Sequence, residues 1–366
     1  MRILKSFILF SSCVFFAVTA LSQTAVDNRP SKSIQTTVID EVVEIRRPFR
    51  SFGRKLGLRE NFRTLWVDEG LMINKVLTLF LDSRNHMWIG GNGLIARFNG
   101  PEIVHYEISG QESDVYGILE SKDGKIWFGS YGSGLGYFDG QDFHKVTFDE
   151  EFDSTSLLVL DMKMDSRGRI YVATARQGII VIDKGKYRIL SPGDGMNGKI
   201  IKAIHLDEEE RLWVGYHLKG VSVLDYGVWK HLNVESGLCN DVVNSIDPGA
   251  ENTVIISTRN GASIVRYDGQ FKVIENVLQN RIIAQCAVDH DGNLWFGTKR
   301  EHGCYVRKNG QWHNYKEQNG LASDRVLAVI PEGRNVWVGS FGKGLTLCGV
   351  NLFDHFNSEN GLASDR

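Results

Sequence analysis

The chain reads as all-β, a seven-bladed β-propeller of four-stranded antiparallel blades. A short phrase built on a large residue recurs seven times. Each recurrence leaves room for four short strands. The composition, 39 Gly against 6 Pro with 10% aromatic residues, suits many strands joined by tight turns.

The phrase is clearest as DGNLWFGT at Asp291 to Thr298, DGKIWFGS at Asp123 to Ser130 and ERLWVGY at Glu210 to Tyr216. Its large residue is Trp88, Trp127, Tyr171, Trp213, Ile255, Trp295 and Trp337, at spacings of 39, 44, 42, 42, 40 and 42. A period of 40–45 residues is that of a propeller blade. In the sixth copy Ile282 to Val288, Leu294 to Thr298, Gly303 to Lys308 and Gln311 to Lys316 read as strands. Asp289-His-Asp-Gly292 and Asn309-Gly310 are their hairpin turns. One such sheet cannot bury both faces alone, whereas sheets stacked around an axis bury them together. The large residue fills the space between blades. The small residue two places on (Gly90, Gly129, Ala173, Gly215, Ser257, Gly297, Gly339) leaves room for the neighbour.

Asp82, Asp123, Asp165, Asp207 and Asp289 recur near the first-to-second strand turns. They read as turn residues bonding their own backbone, not as a catalytic carboxylate pair, because they sit on separate blades.

The phrase NGLASDR at Asn319 to Arg325 joins the outermost strand of one blade to the innermost strand of the next. Glu69-Gly-Leu71 and Glu235-Ser-Gly-Leu238 are looser versions. The same seven residues stand at Asn360 to Arg366, as an eighth repeat would begin, so the natural protein is expected to continue. Two segments compete for the outer place of blade 7, Asn61 to Val67 and Leu352 to Asn357. The first is favoured because it ties the two ends of the ring together.

Residues 1–22 carry Arg2 and Lys5, an apolar run from Phe7 to Leu21 and small residues at Ala20 and Ser22, the features of a secretory signal. Cys13 lacks a lipobox setting, since Phe10 stands where an aliphatic residue belongs. Residues 23–61 are polar, with a strand-like Thr37 to Ile45. A basic run follows, holding Arg46, Arg47, Arg50, Arg54, Lys55 and Arg59. The segment reads as a solvated tail or linker ahead of a propeller over 62–366. Cys239, Cys286, Cys304 and Cys348 show no disulfide or metal spacing and are expected free and partly buried. No cofactor is implied. A formal net charge of −2 gives no reason to expect a nucleic-acid partner.

Written as D-x-x-G-N-L-W-F-G-T with the N-G-L connector, the repeat resembles the two-component regulator propeller repeat over about residues 62–366. That resemblance implies an exported, periplasmic seven-bladed propeller. It would sense a ligand, often an oligosaccharide, for a membrane histidine kinase. In larger members a second propeller, an immunoglobulin-like domain, a membrane helix and the kinase follow.

One repeat position differs in chemistry in every copy: the fourth residue after the large one. It reads Asn92, Tyr131, Ala175, His217, Arg259, Lys299 and Phe341. It falls in the loop between second and third strands, on the connector face, where a position free of packing is available for binding. These loops carry Arg176, Lys219, Arg259, Lys299, Arg300 and Lys343 against Glu301 alone. Aromatic faces beside cationic donors suit sugars, acidic ones in particular. Tyr131, Tyr216, His217, Arg259, Lys299 and Phe341 are therefore the candidate ligand-binding residues. Acidic connector residues (Glu69, Glu112, Asp114, Asp194, Glu235, Asp241, Glu275, Glu317, Asp324) temper the anionic preference. Two other readings stay open. One is a lyase-type propeller enzyme using His217 and His302, although no His-x-Glu-x-His cluster is present. The other is a protein-binding scaffold.

Overall fold

The computed structural model describes residues 31–48, 61–65, 71–100, 102–108, 113–149, 152 and 157–349. The segment expected to be a secretory signal, Arg50, Arg54, Lys55, Arg59, Leu352 to Asn357 and the second NGLASDR lie outside the described residues. Four strands precede the repeats: β1 (Lys32–Ser33), β2 (Gln35–Val38), β3 (Val42–Pro48) and β4 (Asn61–Leu65). The rest forms seven antiparallel sheets whose innermost strands are Val76–Leu81, Val115–Glu120, Val159–Met164, Ile201–Leu206, Val243–Pro248, Ile283–Val288 and Val326–Glu332 for blades 1 to 7. Consecutive innermost strands pack side by side, and that of blade 7 packs against that of blade 1, closing the ring. No helix of the described residues is long and apolar enough to cross a membrane.

Each large repeat residue is buried against the following blade. Trp213 meets Val243, Ile246 and Val265 of blade 5, and Trp337 meets Val76, Ile89 and Ile103 of blade 1. The small residue two places on is required by the next blade's first β-branched side chain. A Cβ on Gly215 would stand 2.5 Å from Val243 Cγ1, and one on Gly339 2.5 Å from Val76 Cγ1. The hydroxyl that follows spans the next tight turn: Thr174 Oγ1 donates to the Gly178 carbonyl at 2.9 Å and Thr298 Oγ1 to Gly303 at 2.7 Å.

The recurring Asp does more than shape its turn. Asp207 Oδ1 accepts from the backbone of Glu209 and Arg211, while Oδ2 accepts the indole N–H of Trp213 at 2.8 Å. Asp82 and Asp289 serve Trp88 and Trp295 in the same way, and Glu332 serves Trp337. Asp123 is not in this series. Ser121 stands at its place, six residues before Trp127, and Asp123 bonds that serine and Lys125 instead.

The connector glycine ends a 3-10 turn in the left-handed region (Gly195, φ 92°; Gly237, φ 106°; Gly320, φ 114°). The next residue, Met196, Leu238 or Leu321, is driven into the core. Blade 7 takes β4 as its outer strand, with Leu345 opposite Leu65 and Gly349 opposite Asn61.

The tail-or-linker expectation for 23–61 is corrected over 32–48. β3, β2 and β1 add a fifth, outermost strand to blades 1, 2 and 3 in turn, a belt running backwards round the ring. Its residues are mostly exposed but their backbone is paired. All four cysteines of the repeats are free; Cys239 is half-buried and the other three are buried.

Candidate functional site

The variable repeat position is built by the start of the innermost strand. Its backbone N–H donates to the residue just before that strand: Tyr131 to Asp114, Ala175 to Leu158, His217 to Ile200, Arg259 to Val242, Lys299 to Ile282 and Phe341 to Arg325, at 2.9–3.2 Å. In blade 1 Asn92 Oδ1 instead accepts the Lys75 N–H at 3.3 Å. The seven positions therefore stand at the starts of the innermost strands, round the axis of the ring on the connector face. Every innermost strand also carries a bulge at its second residue, as between Val76 and Thr78 or Ile201 and Ala203. A bulge re-aims a side chain. The bulge residues are Leu77, Tyr116, Leu160, Lys202, Asn244, Ala284 and Leu327, of which Tyr116 meets Tyr131 and Asn244 meets Lys299.

Five of the six candidate residues occupy this ring. Tyr131 is 46% exposed, sets its ring edge-on to Tyr116 at 6.2 Å and bridges to Leu158 of blade 3. His217 and Arg259 are exposed. Lys299 is half-buried; its Nζ donates to Asn244 Oδ1 at 2.9 Å. Burial, reinforced by the charge of Lys202, pushes its ammonium down to about 8. Phe341 lies under the Arg325 guanidinium, 3.8 Å from ring centroid to Cζ, with Lys75 Nζ at 5.8 Å; Lys75 in turn pairs with Asp114. Tyr216 is a correction. It is 1% exposed, packs with Met196 and Ile201, and its hydroxyl accepts the Asn197 N–H at 3.1 Å, so it belongs to the core. Tyr216 holds the repeat position that is Ser or Thr in five other copies, one place before the ring.

The opposing acids turn out to be largely structural. Asp194 accepts the Ser191 N–H, Asp241 that of Val234 and Asp324 that of Glu317. Glu275 lies in an outer strand and pairs with Arg307 at 2.6 Å. Glu317 neutralises Lys343 at 2.5 Å. Glu69 and Glu112 lie outside the described residues.

Sequence reasoning missed Lys75, Arg325, Lys202, Asn244 and Tyr116. The position just before the innermost strand carried a usable signal, since it too varies. It reads Lys75, Asp114, Leu158, Ile200, Val242, Ile282 and Arg325, a charged arc over blades 7, 1 and 2 and an apolar arc over blades 3 to 6. His217 and His302 sit on blades 4 and 6. Burial and the cations Arg281, Lys316 and Arg300 push His302 down, and neither histidine has a hydrogen-bonded carboxylate among the described residues. An acid–base role lacks its orienting partner.

Two stretches, residues 109–132 and 276–300, match the family described as two component regulator propeller. Each covers a connector, an innermost strand and a second strand, ending just past Trp127 or Trp295. Those two stretches carry the two-component regulator propeller repeat. The propeller is similar in fold to the extracellular domain of a hybrid two component system from B. thetaiotaomicron, with TM-score 0.68 and 21% identity over 80% of this chain and 41% of that one. It thus spans well under two thirds of that relative's length. Virginiamycin B lyase from Staphylococcus aureus, caught with quinupristin, gives TM-score 0.66 and 15% identity over 80% and 99%. PorZ, a surface component of the type-IX secretion system of Porphyromonas gingivalis, gives 0.59 and 14% over 76% and 47%. At these identities the likenesses speak to the fold alone. Curated protein sequences gave no match.

Proposed function

We propose that this regulator propeller is the exported ligand-sensing module of a two-component system and binds an oligosaccharide on its connector face, in the ring formed by Tyr131, His217, Arg259, Lys299 and Phe341. In this reading occupancy of the ring is relayed to a membrane histidine kinase. The observation that carries it is the ring itself. On a scaffold whose filler, small residue and turn keep their chemistry, one position at the start of the innermost strands carries a different residue in each of the seven copies. An aromatic face on Tyr131 and donors on Arg259 and Lys299 are the means by which proteins hold sugars, by stacking and by charged hydrogen bonds. The likeness to two-component extracellular domains supports the sensor role.

The test is a thermal-shift panel of neutral and acidic oligosaccharides on the folded protein, since a ligand that binds only the native state raises the melting temperature. A shift lost on replacing Arg259 or Tyr131 by Ala is the expected result. No shift with any glycan, in protein whose circular dichroism shows it folded, overturns the sugar reading.

A further inference from the structure

We infer that Lys202 and Lys299, the latter held by Asn244, form an anion site at the connector-face end of the ring across blades 4 to 6 that takes the carboxylate of an acidic sugar. The inference rests on the oligosaccharide reading above and gives its substrate a class.

Lys202 is the bulge residue of blade 4, Asn244 that of blade 5, and Lys299 the ring residue of blade 6. Asn244 is committed on both sides. Its Nδ2 donates to the Ile283 carbonyl at 2.8 Å and its Oδ1 accepts from Lys299 Nζ at 2.9 Å. An ammonium carries three donors. One of Lys299's is used, and Lys202 has no hydrogen-bond partner among the described residues.

Other lysines near the channel are paired: Lys75 with Asp114, Lys343 with Glu317, and Lys163 with Asp161 at 3.0 Å. Lys202 and Lys299 have no carboxylate partner among the described residues. Lys299 reaches from blade 6 to Asn244 on blade 5, whose bulge counterpart on blade 4 is Lys202, on the side of the ring that carries Ile200, Val242 and Ile282. Burial without a counter-ion disfavours the charged forms, and both ammonium groups are pushed down, Lys202 by burial alone and Lys299 by burial reinforced by the charge of Lys202. A carboxylate placed between them would relieve both, one oxygen to each. The charged group that faces Lys299 from the neighbouring blades is Lys202, and Asn244 is neutral. Lys299 holds its proton below about 8. Anion binding is therefore strongest below that pH and falls as pH rises through it, and a bound anion moves the titration upward.

The experiment follows the ¹³Cε resonances of the lysines, assigned with Lys202→Met and Lys299→Met, while trigalacturonate, its neutral galactose counterpart or inorganic sulfate is added. Trigalacturonate is expected to move both resonances, to shift the Lys299 titration to higher pH, and to bind at least tenfold more weakly to either Met variant. A Lys272→Met control, in the outer strand Phe271–Val277, should leave its binding unchanged. Equal binding of the neutral trisaccharide, or indifference to both substitutions, overturns the anion site and leaves the oligosaccharide reading standing. Sulfate moving the resonances where trigalacturonate does not overturns the carboxylate assignment. Resonances unmoved by all three overturn the site, whatever the glycan panel shows for the rest of the face.

Discussion

In blade 4 the indole N–H of Trp213 is bonded to Asp207, and the outer strand Val228–Leu232 leaves its far edge open. In blade 2 the indole N–H of Trp127 has no acceptor among the described residues, Ser121 standing where the carboxylate should, and β2 covers the outer edge. Blade 2 compensates with rings. Trp127 packs on Tyr137 at 5.1 Å, Tyr137 stacks on His144 at 4.6 Å, and Lys125 Nζ lies 5.2 Å from the centroid of the Tyr137 ring. The bond to Trp is not coupled to the belt, since blades 1 and 3 carry a belt strand and keep the acid. Inter-blade packing, polar anchoring and edge covering are thus three separable devices laid over one repeat.

The largest expected effect comes from packing. Trp213→Ala should cost about 3–5 kcal/mol, as for other large buried aromatics, read from urea unfolding monitored by circular dichroism. A cost below about 1 kcal/mol would show that the inter-blade filler is not what holds blade 4 to blade 5.

Replacing each tryptophan by Phe isolates the polar anchor. The packing loss is similar in both, but only Trp213→Phe breaks a made hydrogen bond, and Trp127→Phe removes a buried donor that had no partner. Trp213→Phe should therefore be the more destabilising by about 1–2 kcal/mol. Equal costs in the same unfolding measurement would mean that the Asp207 bond contributes nothing net.

The smallest effect is local. Ile39 donates to the Phe143 carbonyl at 2.8 Å, and in an antiparallel pair the bonded positions alternate, so the Thr37 N–H faces Lys145. Thr37→Pro removes that donor and should loosen the belt at blade 2, with a global cost of about 1 kcal/mol or less. Hydrogen–deuterium exchange should speed up over residues 143–147 and stay unchanged over 228–232. Unchanged exchange over 143–147 would separate the belt from the protection of that strand.

The blades were legible in the sequence because the filler, the small residue and the turn recur with a fixed period, and repetition exposes what packing demands. The belt was not. β2 and β3 are largely exposed, so they give no strong alternation of apolar and polar residues, and their partners lie far along the chain. Comparing copies also found the variable ring, but it ranked Tyr216 with the exposed aromatics. Residue type alone does not tell a ring turned outward at Tyr131 from one turned inward one place earlier. Lys202 and Asn244 escaped notice because a one-residue bulge reverses which side of a strand faces the channel, and that reversal leaves no mark in composition.

The strand that completes blade 7 is β4, at residues 61–65, and its partner is Leu345–Gly349. A chain made from its amino end therefore produces the closing strand before any blade and the edge it must find after all of them. The entropic penalty of so long a closure grows only with the logarithm of its length, so the finished ring loses little stability by it. The timing is another matter. Contacts of such sequence separation form late and slowly. Until they do, the edge of blade 7 and the outer edges of blades 1 to 3 present unpaired backbone to any strand nearby. Native pairing and association with a second unfinished chain thus compete for the same four edges, and the competition tilts toward association as the concentration of newly made chains rises.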